Sequence, residues 1–201
     1  MMRVLCVCTG NICRSAFAEA YLREQLTGLP IEVASAGVAA VEGGAVPEQM
    51  LARGDRYGLS SLHEHRGKQV SRDGLAGSDL ILAATTKQRS FLLKLDPRLA
   101  ARTFTFIEFA ALAAAVTDDD LAFFSAESSS VADLLVQAAA SKRGFVPALR
   151  RLESLDVVDP YGQPEAVYEE SVHQLLQTLE PIVAYLSRGY SSVSEEERHE
   201  A

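Results

Sequence analysis

Eight consecutive residues carry side-chain types at a spacing that could do chemistry: Cys8-Thr9-Gly10-Asn11-Ile12-Cys13-Arg14-Ser15. A cysteine opens the run and an arginine follows it, with five residues between them. That span lets the backbone curl around a tetrahedral oxyanion. The Cys8 sulfur then lies beneath the central atom, and the Arg14 guanidinium grips two equatorial oxygens. The loop amides and the positive end of a following helix dipole would converge on the same point. Together with Arg14 and the Ser15 hydroxyl they would hold Cys8 as the thiolate, the reactive form of a thiol whose free pKa is about 8.5. The chemistry this implies is attack of sulfur on a phosphate ester, followed by release of phosphate to water.

Such a loop needs a strand behind it and a helix in front. Residues 3–8 are apolar nearly throughout, as expected of a central parallel strand covered on both faces. From Ser15 to about Thr27, Phe17, Tyr21, Leu22 and Leu26 recur at helical spacing. Gly28-Leu29-Pro30 breaks that helix, and Ile31 to Ala34 makes a second strand ending at Ser35-Ala36-Gly37. A right-handed crossover makes the two strands parallel and leaves the loop at the carboxyl end of the first. A helix over about 47–57, a loop over 62–71 and a short helix over 72–76 follow. A third strand at 79–83, a helix over 87–95 and a fourth strand from Thr103 to Ile107 continue the pattern. Beyond these, the sequence predicts an Ala-rich helix at 109–116, an acidic break at Asp118-Asp119-Asp120, a serine break at 128–130 and a helix from Val131 to Ala140. Asp159-Pro160-Tyr161-Gly162 reads as a turn, and Pro164 to Ser187 as a long amphipathic helix.

The octet, set between a strand and a helix, resembles the active-site loop of the low-molecular-weight protein tyrosine phosphatase family. The resemblance covers about residues 3–107 and 156–188. Taken alone, an Asp-Pro turn is ordinarily only a turn. In that family the general acid sits in an Asp-Pro-Tyr turn before the last helix, so the resemblance implies that Asp159 protonates the leaving group. A phenolate, with a pKa of ~10, leaves poorly without such a donor. Tyr161 would stack beside a flat aromatic substrate, with Ile12 as the facing aliphatic wall. Ser35 and His65 fall where the family has a Ser and a His that brace the loop Asn, here Asn11. Ala16 stands where the family usually has Pro, and Ala84-Thr85-Thr86 where many members have Met-Asp or Met-Thr. The fold implied is α/β: a doubly wound four-stranded parallel sheet, order 2-1-3-4, with helices on both faces. A helical insertion over about 108–155 precedes the last helix within one domain, 1–188, and a polar, flexible tail follows at 189–201.

Composition bounds the alternatives. The chain has 201 residues, 48% of them hydrophobic, enough for one domain with a sizeable core. Three cysteines between positions 6 and 13 make no disulfide framework and suit a reducing compartment. A Cys6/Cys8/Cys13 metal site lacks a fourth ligand nearby, so neither metal nor cofactor is expected. Peroxide could link Cys8 to Cys13. With a net charge of −8 and no basic block, nucleic acid is an unexpected partner; a phosphorylated protein is the expected one. No apolar run approaches the ~20 residues of a membrane span, and the N-terminus lacks a signal-peptide layout, so the expectation is a cytoplasmic protein without membrane contact. Three competing functions share the fold or the loop. A thioredoxin-coupled arsenate reductase would need further cysteines downstream of Cys13, and there are none. An arsenate reductase coupled to a low-molecular-weight thiol, and a phosphoarginine phosphatase, stay open. A non-catalytic phosphoprotein-binding module would be expected to lack Cys8, Arg14 or Asp159. Within the loop, Ile12 favours phosphotyrosine: the phosphoarginine branch typically has Thr there, and an aliphatic wall leaves a guanidinium unpaired.

Overall fold

Alternate residues of the first strand serve two cores, and this organises the molecule. In β1 (Met2–Cys8), Met2, Val4, Cys6 and Cys8 face one apolar cluster, while Leu5 and Val7 face another. The computed structural model describes residues 1–125, 127–147, 149 and 154–199, the backbone alone from 192 onward. Around β1 it builds a four-stranded parallel sheet in the order 2-1-3-4, as the sequence predicts. The other strands are β2 (Ile31–Gly37), β3 (Leu80–Ala83) and β4 (Thr103–Thr105).

Helices cover both faces. On the larger side pack α1 (Arg14–Gln25), α2 (Glu48–Asp55), α5 (Phe106–Ala114), α7 (Val131–Ser141) and α8 (Glu165–His199), through Phe17, Met50, Phe109, Leu135 and Leu179. The smaller side is closed by α3 (Arg72–Ala76), α4 (Thr86–Leu95) and a 3-10 turn at Pro97–Arg102, through Leu75, Leu92 and Leu99. A separate short helix, α6 (Asp118–Ser125), buries only Leu121. Among the described residues no helix is long and apolar enough to cross a membrane.

Several boundaries differ from expectation, each for a local reason. β2 runs on to Gly37 because β1 pairs with it in parallel as far as Cys8↔Gly37. β4 stops at Thr105, not Ile107. There the Glu108 amide donates to Thr105 Oγ1 at 3.0 Å and the Thr105 amide to Glu108 Oε2 at 3.3 Å, a capping box that starts α5 at Phe106. The acidic run 118–120 is no break but the first turn of α6, where carboxylates suit the helix dipole. Thr117 caps it reciprocally with Asp120. The last helix reaches His199 and not Ser187, so the backbone of the expected flexible tail is helical that far. Residues 200 and 201 of that tail, and 126, 148 and 150–153 of the expected insertion, lie outside the described residues.

Within the insertion, α5 and α7 are part of the core: Leu112, Leu135, Ala138 and Ala139 are buried in the same cluster as β1. Arg143 fastens the segment to the sheet edge. Its guanidinium lies 3.9 Å from the Phe104 ring centroid and donates to the Thr103 carbonyl at 2.7 Å and to Glu108 Oε1 at 3.1 Å. An edge strand left bare invites pairing with another chain, and here a cation covers it.

Candidate active site

The eight-residue loop joins the end of β1 to the start of α1, and its shape follows from where its carbonyls go. The Val38 amide donates to the Cys8 carbonyl at 3.0 Å, Ala39 to Thr9 at 3.1 Å, and Val41 to Gly10 at 3.0 Å. The Asn11 carbonyl takes a 2.7 Å bond from His65 Nε2. None of the described peptide bonds is cis. In a trans peptide the carbonyl and the next N–H point in opposite directions. Four carbonyls bonded outward therefore turn the amides of Thr9, Gly10, Asn11 and Ile12 inward. The Asn11 amide reaches Cys8 Sγ at 3.2 Å. The donors can come this close because residue 37 is glycine: a Cβ there would stand 2.4 Å from the Thr9 carbonyl oxygen.

Asn11 is the pin. Its φ of 56° is the only positive value at a non-glycine among the described residues, and asparagine tolerates that region better than most side chains. Its fully buried amide donates to Ser35 Oγ at 2.7 Å and to Ser15 Oγ at 2.9 Å, and accepts from the Lys68 amide at 2.9 Å. Ser35 Oγ in turn donates to Glu19 Oε2 at 2.5 Å, and His65 Nδ1 lies 3.6 Å from the same carboxylate oxygen. Ser35 thus bonds the Asn11 side chain, and His65 its backbone carbonyl. Glu19, one turn into α1, completes this network; its helical position gave no signal in the sequence.

Cys8 Sγ sits 3.0 Å from Ser15 Oγ. The start of α1 carries no side-chain cap, which leaves its first amides open to an anion. Arg14 is 3% exposed. Its Nη1 donates to the Val157 carbonyl at 3.0 Å and its Nη2 pairs with Asp159, while Nε has no hydrogen-bond partner among the described residues. Asp159 crosses the whole length of the chain to reach this point. Its segment is held by three hydrogen bonds, one to the residue after β3 and two to α8: the Val157 amide donates to the Ala84 carbonyl at 2.9 Å, the Val158 amide to Gln174 Oε1 at 2.9 Å, and Ser171 Oγ to the Val158 carbonyl at 3.0 Å. Within its turn the Tyr161 amide donates to Asp159 Oδ1 at 3.3 Å.

Together these groups enclose a cavity of about 170 Å³. The buried side chains of Cys8, Ile12, Cys13 and Arg14 line it, together with Ala39, Asp159 and the exposed Val41 and Tyr161. Ile12 is 6% exposed and Tyr161 is 58% exposed, so a packed aliphatic side chain and a free ring both line the cavity. Thr9 to Cys13 join β1 to α1, and Arg14 and Ser15 are the first two residues of α1. The Cys13 thiol is buried, and burial, reinforced by the charges of Cys8 and Asp159, pushes it up to about 12. Burial likewise raises Cys6, behind the loop. Gln88 was missed by sequence reasoning: buried on α4, it donates from Nε2 to Thr9 Oγ1 at 2.9 Å.

Comparison with known proteins points the same way. The sequence model of the family described as low molecular weight phosphotyrosine protein phosphatase matches residues 3–122. A probable low molecular weight protein-tyrosine-phosphatase of Erwinia amylovora is 34% identical over 103 residues, 51% of this chain and 69% of its own. A protein-arginine-phosphatase of Geobacillus stearothermophilus is 35% identical over 123 residues, 60% of this chain and 76% of its own. Among solved structures, the low molecular weight protein tyrosine phosphatase from T. tengcongensis aligns with a TM-score of 0.66 at 28% identity, over 92% of this chain and 99% of that one.

Proposed function

Because the chain belongs to the low molecular weight phosphotyrosine protein phosphatase family, we propose that it hydrolyses phosphotyrosine in protein substrates through a phosphocysteine at Cys8. The observation that carries this reading is the inward-facing amide loop around Cys8 Sγ, with a buried Arg14 whose Nε is unpaired among the described residues. A phosphoryl group in this loop would accept from the amides and from Arg14. The Cys8 thiolate attacks phosphorus, and the bond from phosphorus to the phenolic oxygen breaks. Asp159 gives its proton to the departing phenolate. Water then attacks phosphorus and gives its proton to Asp159; the phosphorus–sulfur bond breaks, and phosphate and the Cys8 thiolate are regenerated. Arg14 holds the equatorial oxygens as charge spreads over them. The Ser15 hydroxyl, 3.0 Å from the sulfur, stabilises the thiolate as leaving group. No metal or cofactor enters the cycle.

A phosphoarginine phosphatase is the second reading, favoured by the protein-arginine-phosphatase at 35% identity. The aliphatic lining argues for the aryl ester, since Ile12, Ala39 and Val41 offer a guanidinium no side-chain acceptor. Turnover of phosphotyrosine, phosphoarginine and arsenate by the purified protein separates these activities, and phosphotyrosine is expected to be the preferred substrate. Cys8→Ser should abolish turnover while leaving the fold and oxyanion binding intact. Near-normal activity in that variant would sink the central claim.

A further inference from the structure

A second groove adjoins the Arg14–Asp159 pair. It holds about 470 Å³, within the ~300–1,000 Å³ of small-ligand sites, and it shares Thr9, Arg14 and Asp159 with the catalytic cavity. Val38 and Phe91 give it an apolar side, and Phe91 is 40% exposed, midway along α4. Gln88 belongs to its lining as well. That side chain is 4% exposed; its Nε2 is engaged by Thr9, and its Oε1 has no hydrogen-bond partner among the described residues. An unsatisfied buried acceptor is unfavourable, and a ligand N–H brought to it would remove that cost.

We propose that this groove is a specificity subsite: it takes the residue adjoining the phosphotyrosine in the substrate chain, with an apolar side chain over Phe91 and Val38. The occupant follows from continuity and chemistry. A phosphotyrosine seated over Cys8 continues into its own chain, so the next residue of that chain is the group that reaches a groove meeting the cavity at Thr9, Arg14 and Asp159. An apolar face beside an amide with a spare acceptor matches a peptide, which brings a side chain and an N–H together. A hydrocarbon would use only the first. Gln88 also ties the subsite to the catalytic loop through Thr9. The assignment rests on the phosphatase reading above.

The test compares 4-nitrophenyl phosphate with short phosphotyrosine peptides carrying glycine or leucine at the flanking position on either side. In the wild type, leucine at one flank should raise kcat/KM over glycine by about tenfold, the discrimination that one apolar contact supplies. Phe91→Ala, at a half-exposed position outside the catalytic loop, should reduce that preference to about twofold or less and leave 4-nitrophenyl phosphate turnover unchanged. Equal efficiency on glycine and leucine peptides at both flanks overturns the proposal, as does a leucine preference that survives Phe91→Ala. Small-ester activity that falls as protein concentration rises, and recovers in Phe91→Ala, would assign the groove to a second copy of this chain and overturn it too. No turnover of any phosphotyrosine substrate overturns the phosphotyrosine reading, and the subsite with it.

Discussion

Replacing Asn11 by alanine should cost more than replacing any other polar residue of the loop, and the structure allows the cost to be worked out. The side chain is fully buried and makes three hydrogen bonds, to Ser15, Ser35 and the Lys68 amide. Losing the acceptor for the Lys68 N–H leaves a part-buried backbone donor unpaired, at roughly 1–3 kcal/mol, and the two bonds to serine hydroxyls are worth about 1 kcal/mol each. Holding alanine at a φ of 56° adds about 1 kcal/mol of backbone strain that asparagine tolerates. Together these give a loss of about 4–6 kcal/mol, a large fraction of the ~5–15 kcal/mol available to a domain. Asn11→Gly removes the same bonds without the strain, so it should be about 1 kcal/mol more stable than Asn11→Ala. Urea unfolding at 25 °C measures both differences, and kcat/KM on an aryl phosphate should fall at least about tenfold in each, because the inward amide geometry is no longer pinned. A loss below about 1 kcal/mol in Asn11→Ala, or a glycine variant no more stable than the alanine one, would refute this account of the loop.

Three further outcomes are expected. Asp159→Ala should slow alkyl-substituted phenyl phosphates far more than 4-nitrophenyl phosphate, whose leaving group needs no proton; equal losses across a leaving-group series would remove Asp159 from the acid role. Ile12→Thr should narrow or reverse the preference for phosphotyrosine over phosphoarginine, by an amount set by ~1–3 kcal/mol per buried polar group left unpaired. No shift in kcat/KM ratio would detach specificity from that wall. The third concerns alkali. Cys13 stays protonated in the folded protein up to about 12, whereas the unfolded chain releases this proton near 8.5. Above that lower value the unfolded state binds fewer protons, so stability falls as pH rises and is unaffected below it. Between pH 8 and 10 the Cys13 contribution to this fall is about 2 kcal/mol. Denaturant titrations should show a correspondingly shallower loss in Cys13→Ala; an identical pH slope in the two proteins would show that Cys13 is not the group responsible.

The loop octet was legible in the sequence because its parts are contiguous. Cys8, Arg14 and Ser15 are held at the right separations by the chain itself, and the apolar strand before them and helical spacing after them are local patterns. The parallel pairing of β1 with β2 follows from the same locality, but the full order 2-1-3-4 was legible only through the family resemblance, since β3 pairs with β1 and not with its chain neighbour β2. Asp159 was legible only through the family resemblance, because an Asp-Pro turn carries no mark of the residue it will meet 145 positions away. Other features belong to the tertiary structure alone. The donors that turn the loop carbonyls outward are backbone amides of Val38, Ala39 and Val41, and backbone groups have no sequence signature. Glu19 and Gln88 sit on helices at positions where any polar residue would satisfy the helical pattern; only the packing of α1 and α4 against the loop brings them to Ser35 and Thr9. The end of β4 turned on a competition that propensity cannot judge. Phe106 and Ile107 suit a strand as well as a helix, and the reciprocal cap between Thr105 and Glu108, with burial of Phe106 in the larger core, decides for the helix. What a residue is follows from its neighbours in the chain, but what it touches depends on free energy gathered from segments that the chain keeps far apart.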